Sequence, residues 1–218
     1  MTKTEIKEIL NKHSIAPNRR MGQSFLIDKN ILHKIIETAN ISKNDTILEI
    51  GAGLGNLTKK LAEEARKVIT LEKSKQLFPL LKENLKEFNN IEIIQGDVLK
   101  DKLNLPDKYK IVANIPYYIT SPIIRIFLES ENSPEEMILL IQKEVGQRII
   151  AQPPRMNLLA LSVQFYARPK IAFHVSKNCF WPKPEVDSSL IKISDIKKPE
   201  GIDQNKFFEI VKAGFSSP

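Results

Sequence analysis

The chain has 218 residues, 42% of them hydrophobic, which suits one medium domain or a domain with a small appendage and excludes overall disorder. A single cysteine, Cys179, excludes an internal disulfide framework, three scattered histidines leave no zinc spacing, and no run of about eighteen apolar residues is present. Lysine and arginine outnumber aspartate and glutamate by 33 to 26, for a formal charge of +7, which suits a polyanionic partner without establishing one. With a charged N-terminus and no apolar signal core, a soluble cytoplasmic protein without a metal site is expected.

In chain order, MTKTEIKEILNKH predicts a short basic helix, followed by an irregular stretch through Pro17 to Gln23. Lys12, His13, Arg19 and Arg20 precede the first predicted strand and are placed to line the approach to a site. Asp28 is the expected N-cap of a helix with Ile31, Leu32, Ile35 and Ile36 at helical spacing. Thr46 to Ile50, TILEI, is a β-branched run ending in glycine and reads as a strand entering a tight turn. Residues 56 to 65 carry a helix pattern, Lys67 to Glu72 form a second strand, and QLFPLLKENLKEF is a helix with Pro79 near its start. Ile91 to Asp97 is a third strand, and YKIVANIPYY supplies a fourth that runs into a loop at Asn114.

Further on, Ser121 to Ser130 predicts a helix with Pro122 in its first turn, MILLIQ a strand and KEVGQRIIA a helix. LLALSVQFYARPKIAFHV and SSLIKIS read as closing strands. Strands alternating with helices predict an α/β fold: a parallel, doubly wound, Rossmann-like sheet with helices on both faces and antiparallel additions at its C-terminal end. DIKKPEGIDQ, with Pro199 and Gly201, reads as a linker, and NKFFEIVKAGFSSP starts a helix. The expected division is a Rossmann-like domain with a basic N-terminal extension over residues 1–195, then a linker and the truncated start of a second domain over 196–218.

Open parallel sheets bind ligands where strand C-termini meet the crevice at the topological switch point. Gly51, Glu72, Asp97 and Asn114 each lie at or just beyond a predicted strand end. The first turn, EIGAGLGN, allows close backbone approach at Gly51, Gly53 and Gly55. Glu72 follows about twenty residues later, where a carboxylate can accept both hydroxyl hydrogens of a ribose. Asn56 stands where a dinucleotide fingerprint needs its third glycine, which disfavours a diphosphate cofactor and suits an amino-acid moiety joined to a ribose. Asp97 is placed to accept a hydrogen bond from an adenine amine.

The most specific string is NIPYYIT, Asn114 to Thr120. The exocyclic nitrogen of adenine is a poor nucleophile because its lone pair is delocalised into the ring. Two acceptors aimed at its hydrogens would draw it toward tetrahedral geometry. The Asn114 side-chain oxygen and the Ile115 carbonyl are suitably adjacent, Pro116 stiffens their loop, and Tyr117 is placed to stack on a base. A sulfonium methyl donor would supply the driving force, leaving the protein to orient the reactants.

Together the strings GQSFL (22–26), EIGAGLGNLT (49–58), LEK (71–73), GDVL (96–99), NIPYYIT (114–120), LIQKEVGQRI (140–149) and FWPKPEVDSS (180–189) closely resemble the ribosomal RNA adenine N6,N6-dimethyltransferase family. The resemblance implies S-adenosylmethionine as cofactor and methyl transfer to adenine N6 in 16S ribosomal RNA, with the immature small ribosomal subunit as partner; a monomer is the default expectation. It also implies that Gln23, Ser24 and Leu26 contact the cofactor, Gly51 lies against its methionine part and Glu72 binds its ribose. Asp97 would meet the adenine amine, Asn114 would stand near both the methyl group and the target nitrogen, and Phe180 would pack on the target base opposite Tyr117.

The chain departs from the family pattern at three places. Ser24 stands where many members carry Asn or His, QPPRMNLLALSV lacks a glycine common before the corresponding strand, and Glu185 replaces a basic residue. The family's C-terminal helical domain, which helps grip RNA, is represented by its start alone. Two alternatives stay open: methylation of large-subunit 23S RNA, and a non-catalytic RNA-binding factor that retains the fold. Intact Gln23, Gly51, Glu72, Asp97, Asn114 and Tyr117 argue against the second.

Overall fold

Alternate residues of each long apolar strand face opposite sides, so every strand feeds two cores at once. The computed structural model describes residues 1–18 and 21–216; Arg19 and Arg20, expected near the site, lie outside the described residues. Chain order runs α1 (Lys3–Lys12), β1 (Phe25–Leu26), α2 (Lys29–Ala39), β2 (Thr46–Ile50), α3 (Asn56–Glu64), β3 (Lys67–Glu72), α4 (Leu77–Leu85), β4 (Ile91–Gln95) and β5 (Lys110–Asn114). It continues with α5 (Thr120–Glu129), β6 (Glu136–Gln142), α6 (Lys143–Ile149), α7 (Leu158–Gln164), β7 (Arg168–Val175), β8 (Phe180–Trp181), β9 (Ser188–Ser194) and α8 (Gln204–Ser216).

Seven strands form one sheet in the order β4-β3-β2-β5-β6-β9-β7. The β4, β3, β2, β5 and β6 strands are parallel, and β9 and β7 join antiparallel at the far edge. Ile47, Val68, Val112 and Ile138 pack on one face with Leu32 and Ile35 of α2 and Leu57 and Leu61 of α3. Leu48, Ile69, Ile111 and Met137 pack on the other with Ile123 and Phe127 of α5 and Val163 of α7. The predicted Rossmann-like architecture with helices on both faces is therefore the observed one.

From β2 the chain winds outward through β3 to β4, then returns to the other side of β2 to lay down β5 and β6. The connections leave β2 and β5 in opposite directions, and this divergence opens a crevice at their C-terminal ends. Caps fix two helices near it. Thr2 and Glu5 form a capping box on α1, and Asp28 accepts N–H groups of Asn30 and Ile31 at the start of α2.

One predicted element is corrected. Residues 158–164, LLALSVQ, read as strand by sequence, form α7 instead. Asn157 caps this helix by accepting the Ala160 N–H at 3.0 Å, while Ala160 and Val163, three residues apart, are its buried face. A leucine- and alanine-rich run favours helix, and burial on one stripe decides it. The structure also contains a pairing with no sequence signal: β1 and β8, two residues each, form a small antiparallel ribbon outside the main sheet.

Beyond β9, Phe165 stacks on Phe207 of α8 at 4.1 Å between ring centroids, and Phe208 meets Phe165 edge-on at 5.3 Å. These rings seat α8 against the end of α7. No helix among the described residues is long and apolar enough to cross a membrane.

Candidate active site

Four strand ends and one N-terminal segment converge on a single cleft. Met21 to Leu26 form one wall, and the β2–α3 turn forms the floor. Glu72 and Lys73 at the end of β3, Gly96 to Val98 after β4, and Asn114 and Pro116 at the end of β5 complete it.

The floor depends on glycine. Gly53 has φ +60, and a Cβ there would stand 3.1 and 3.2 Å from the Phe25 ring, so a bare backbone lets the turn lie directly beneath β1. The Gly53 N–H donates to Glu72 Oε2 at 2.7 Å, and the Ser74 N–H donates to Oε1 at 2.7 Å. Burial pushes the Glu72 carboxyl up, and these N–H donors offset part of that rise. Each carboxylate oxygen keeps a second lone pair, so the pinned group can still accept hydroxyl hydrogens. Asn56, in place of a third glycine, donates through Nδ2 to the Leu26 carbonyl at 2.9 Å and ties the turn to β1.

Asp97 accepts the Leu99 N–H through Oδ1 at 3.1 Å and pairs through Oδ2 with Lys73 Nζ at 3.0 Å. Burial alone would raise its carboxyl, but the Lys73 ammonium and the Leu99 N–H outweigh it and hold Asp97 low, hence ionised. An anionic acceptor at the rim suits a cofactor amine.

At the end of β5, Asn114 Nδ2 donates to the Ser24 carbonyl at 3.3 Å. One amide hydrogen is thereby engaged, and among the described residues no group donates to Oδ1, which leaves an acceptor on a residue that lines the cleft at the strand terminus. Ile115 is fully buried, held through its N–H by the Leu140 carbonyl. Residues 117–119 form one 3₁₀ turn that leads into α5.

The sequence-derived residues divide in two. Gln23, Ser24, Leu26, Gly51, Glu72, Asp97 and Asn114 all line the cleft. Ile115, Tyr117 and Phe180 are not among the lining residues. The Tyr117 hydroxyl is hydrogen-bonded to Ser188 Oγ at 2.7 Å, and Phe180, 3% exposed, packs in the core with Leu26, Val175 and Leu190 beside the β1–β8 ribbon. The Gln23 side chain accepts the Asn18 N–H at 2.7 Å, so its oxygen holds its own loop.

Three cleft residues escape the sequence reading: Glu49, Lys73 and Tyr118. Glu49 carries a signal, since a carboxylate inside an otherwise apolar strand needs an explanation. It is fully buried, accepts hydroxyl protons of Thr58 at 2.5 Å and Thr70 at 2.8 Å, and is pushed up to about 7 by burial despite those bonds. Tyr118 carries none. Only the 3₁₀ turn reveals that it, 53% exposed, faces the cleft rather than Tyr117.

Comparison with known proteins agrees with this geometry. The model of the family described as ribosomal RNA adenine dimethylase matches residues 15–217. A Clostridium botulinum (strain Okra / Type B1) protein named ribosomal RNA small subunit methyltransferase A is 44% identical, over 96% of this chain and 79% of its own. A namesake from Dehalococcoides mccartyi (strain ATCC BAA-2266 / KCTC 15142 / 195) is 39% identical, over 98% of this chain and 75% of its own. Among solved structures, a dimethyladenosine transferase from Plasmodium falciparum superposes with a TM-score of 0.78 at 31% identity, covering 88% of this chain and 70% of that one. The 23S rRNA methyltransferase ErmE superposes with a TM-score of 0.77 at 28% identity, covering 88% and 79%. With its cleft at the switch point and its family model matched along nearly the whole length, this chain belongs to the ribosomal RNA adenine dimethylase family of S-adenosylmethionine-dependent methyltransferases.

Proposed function

We propose that this protein methylates the N6 amine of adenine in 16S ribosomal RNA of the immature small subunit, yielding N6,N6-dimethyladenosine, and that it acts as a cytoplasmic monomer. The observation that carries the chemistry is Asn114, whose nitrogen is engaged by the Ser24 carbonyl so that Oδ1 remains as an acceptor at the mouth of β5. The choice of the small subunit rests on the relatives at 44% and 39% identity.

The cleft fits S-adenosylmethionine on its own donor set. Glu72 is pinned by two backbone N–H groups and has lone pairs left for a ribose diol, and ionised Asp97 is an acceptor for the adenine amine. When bound, the cofactor supplies an electrophilic methyl group on a sulfonium centre. Asn114 Oδ1 would accept one hydrogen of the target amine, and the Ile115 carbonyl the other, concentrating the nitrogen lone pair toward the methyl group. Preorganised acceptors of this kind need no reorganisation as charge develops.

Residues 196–218 are proposed as a linker and the first helix of a helical RNA-binding unit. Its seat is the ring cluster of Phe165, Tyr166, Phe207 and Phe208.

The test is Asn114→Ala, assayed for methyl transfer to small subunits that lack the modification. Turnover should fall on the order of 10²- to 10³-fold, the cost typical of losing one preorganised polar group, while S-adenosylhomocysteine still binds. Parental turnover in this variant would refute the role of Asn114.

A further inference from the structure

The N-terminal segment that walls the cleft is also built against the loop that carries Asn114. Gly22 has φ +66, and a Cβ placed there would stand 3.0 Å from Pro116 Cβ and 3.3 Å from Pro116 Cα. Neither atom can swing aside, because one is backbone and the other belongs to a closed ring. Gly22 is thus required twice over, by its left-handed conformation and by the absence of space. Two residues later the Ser24 carbonyl receives the Asn114 Nδ2 hydrogen.

This segment is anchored at both ends. On one side, the Asn18 N–H donates to Gln23 Oε1 at 2.7 Å, and the Gln23 N–H returns to the Asn18 carbonyl at 3.1 Å. On the other, Phe25 and Leu26 pair with Trp181 and Phe180, and the Leu26 carbonyl takes the Asn56 amide at 2.9 Å. The Ser24 carbonyl is therefore held in place over Asn114 by contacts that do not involve Asn114.

We propose that Gly22–Ser24 is a positioning clamp for the reaction: Gly22 seats the segment on Pro116, and the Ser24 carbonyl selects which arm of the Asn114 amide faces the target amine. The inference rests on Asn114 being the acceptor described above. An asparagine amide has nearly the same shape when rotated by half a turn, yet the rotation replaces an acceptor with a donor. A donor facing the donor hydrogens of an amine cannot draw them. The clamp makes the productive orientation the resident one, and it comes from the same segment that lines the cofactor cleft.

The experiment compares Gly22→Ala and Gly22→Asn with the parent, and with Gly201→Ala, a glycine at φ +71 where an added Cβ would meet nothing within 4 Å. Asparagine tolerates the left-handed conformation better than alanine, so the two Gly22 variants separate strain from collision with Pro116. Turnover on small subunits is measured at saturating cofactor, with S-adenosylhomocysteine affinity by calorimetry and the Asn114 side-chain amide protons by NMR.

Both Gly22 variants should lose about ten-fold or more in kcat, since a displacement of about 1 Å can cost on the order of 10²-fold; because Gly22 also lines the cofactor cleft, cofactor affinity should fall too, but by much less than kcat. Their Asn114 amide protons should move to the shifts of a side chain without a hydrogen bond, and Gly201→Ala should behave as the parent. Parental kcat in Gly22→Ala, recovery in Gly22→Asn alone, or a parallel fall of kcat and cofactor affinity would each overturn the clamp. Should neither variant fold, the parent spectrum still decides: free-asparagine shifts for both Asn114 amide protons overturn it, and a hydrogen-bonded shift for one supports it. If Asn114→Ala is inactive while Gly22→Ala is fully active, the clamp fails alone. If Asn114→Ala is fully active, the reading of Asn114 fails first.

Discussion

Glu49 stands inside β2 with both neighbours apolar, and its carboxyl is pushed up to about 7 by burial, with the nearby Glu72 charge adding to the rise. The folded state therefore holds this proton more tightly than the unfolded chain does. The resulting stability is fully present below the ordinary carboxylate value and is lost as pH rises through about 7. Asp45 and Asp97 are held low, so their titration lies below that window, whereas Glu72, also pushed up by burial, adds a slope of the same sign. The thermal midpoint of the cofactor-free protein should fall between pH 5 and pH 8, and Glu49→Gln should flatten that slope. Equal slopes in the two proteins would contradict the assignment. Residues of this kind differ in how far the sequence exposes them. Glu72, Asp97 and Asn114 are legible because each ends a strand in an α/β pattern, and that position alone brings them to one crevice. Lys73 and Tyr118 are not, because each adjoins a residue with an equal claim, and only the backbone direction at that point chooses between them.

At the scale of elements, the parallel core is readable from its apolar runs, since strands buried on both faces are predominantly apolar and end in turns. The two departures have separate causes. An aliphatic run such as Leu158–Gln164 matches both a buried strand and a helix by composition, and its N-cap lies just outside the run, at Asn157. The β1–β8 ribbon is too short for any periodicity and is set by residues more than a hundred positions apart. The helix assignment has a direct consequence. Asn157→Ala removes the bond to the Ala160 N–H and should destabilise the protein by about 1 kcal/mol, the usual value of an N-cap. Chemical denaturation would measure it, and a strand at this place would leave stability unchanged. The ribbon also places Phe180: it lies in a ladder with Leu26, and its ring packs in the core beside β1.

On the scale of the whole molecule, the fold divides its work between two edges. The parallel strands meet at the switch point and build the cofactor cleft, whereas the antiparallel strands β9 and β7 close the sheet beside the helices that receive α8. Cofactor chemistry is accessible from sequence because it depends on a few strand ends. The choice of RNA is accessible only through relatedness, since RNA shape is read by surfaces with no short motif. A formal charge of +7 suits that partner. The most direct test of the central claim is to incubate the protein with isotope-labelled S-adenosylmethionine and ribosomal particles that lack the modification, then identify labelled nucleosides by mass spectrometry in each separated RNA. N6,N6-dimethyladenosine should appear in 16S RNA and be lost in Asn114→Ala; label confined to 23S RNA, or on an atom other than adenine N6, would contradict the claim.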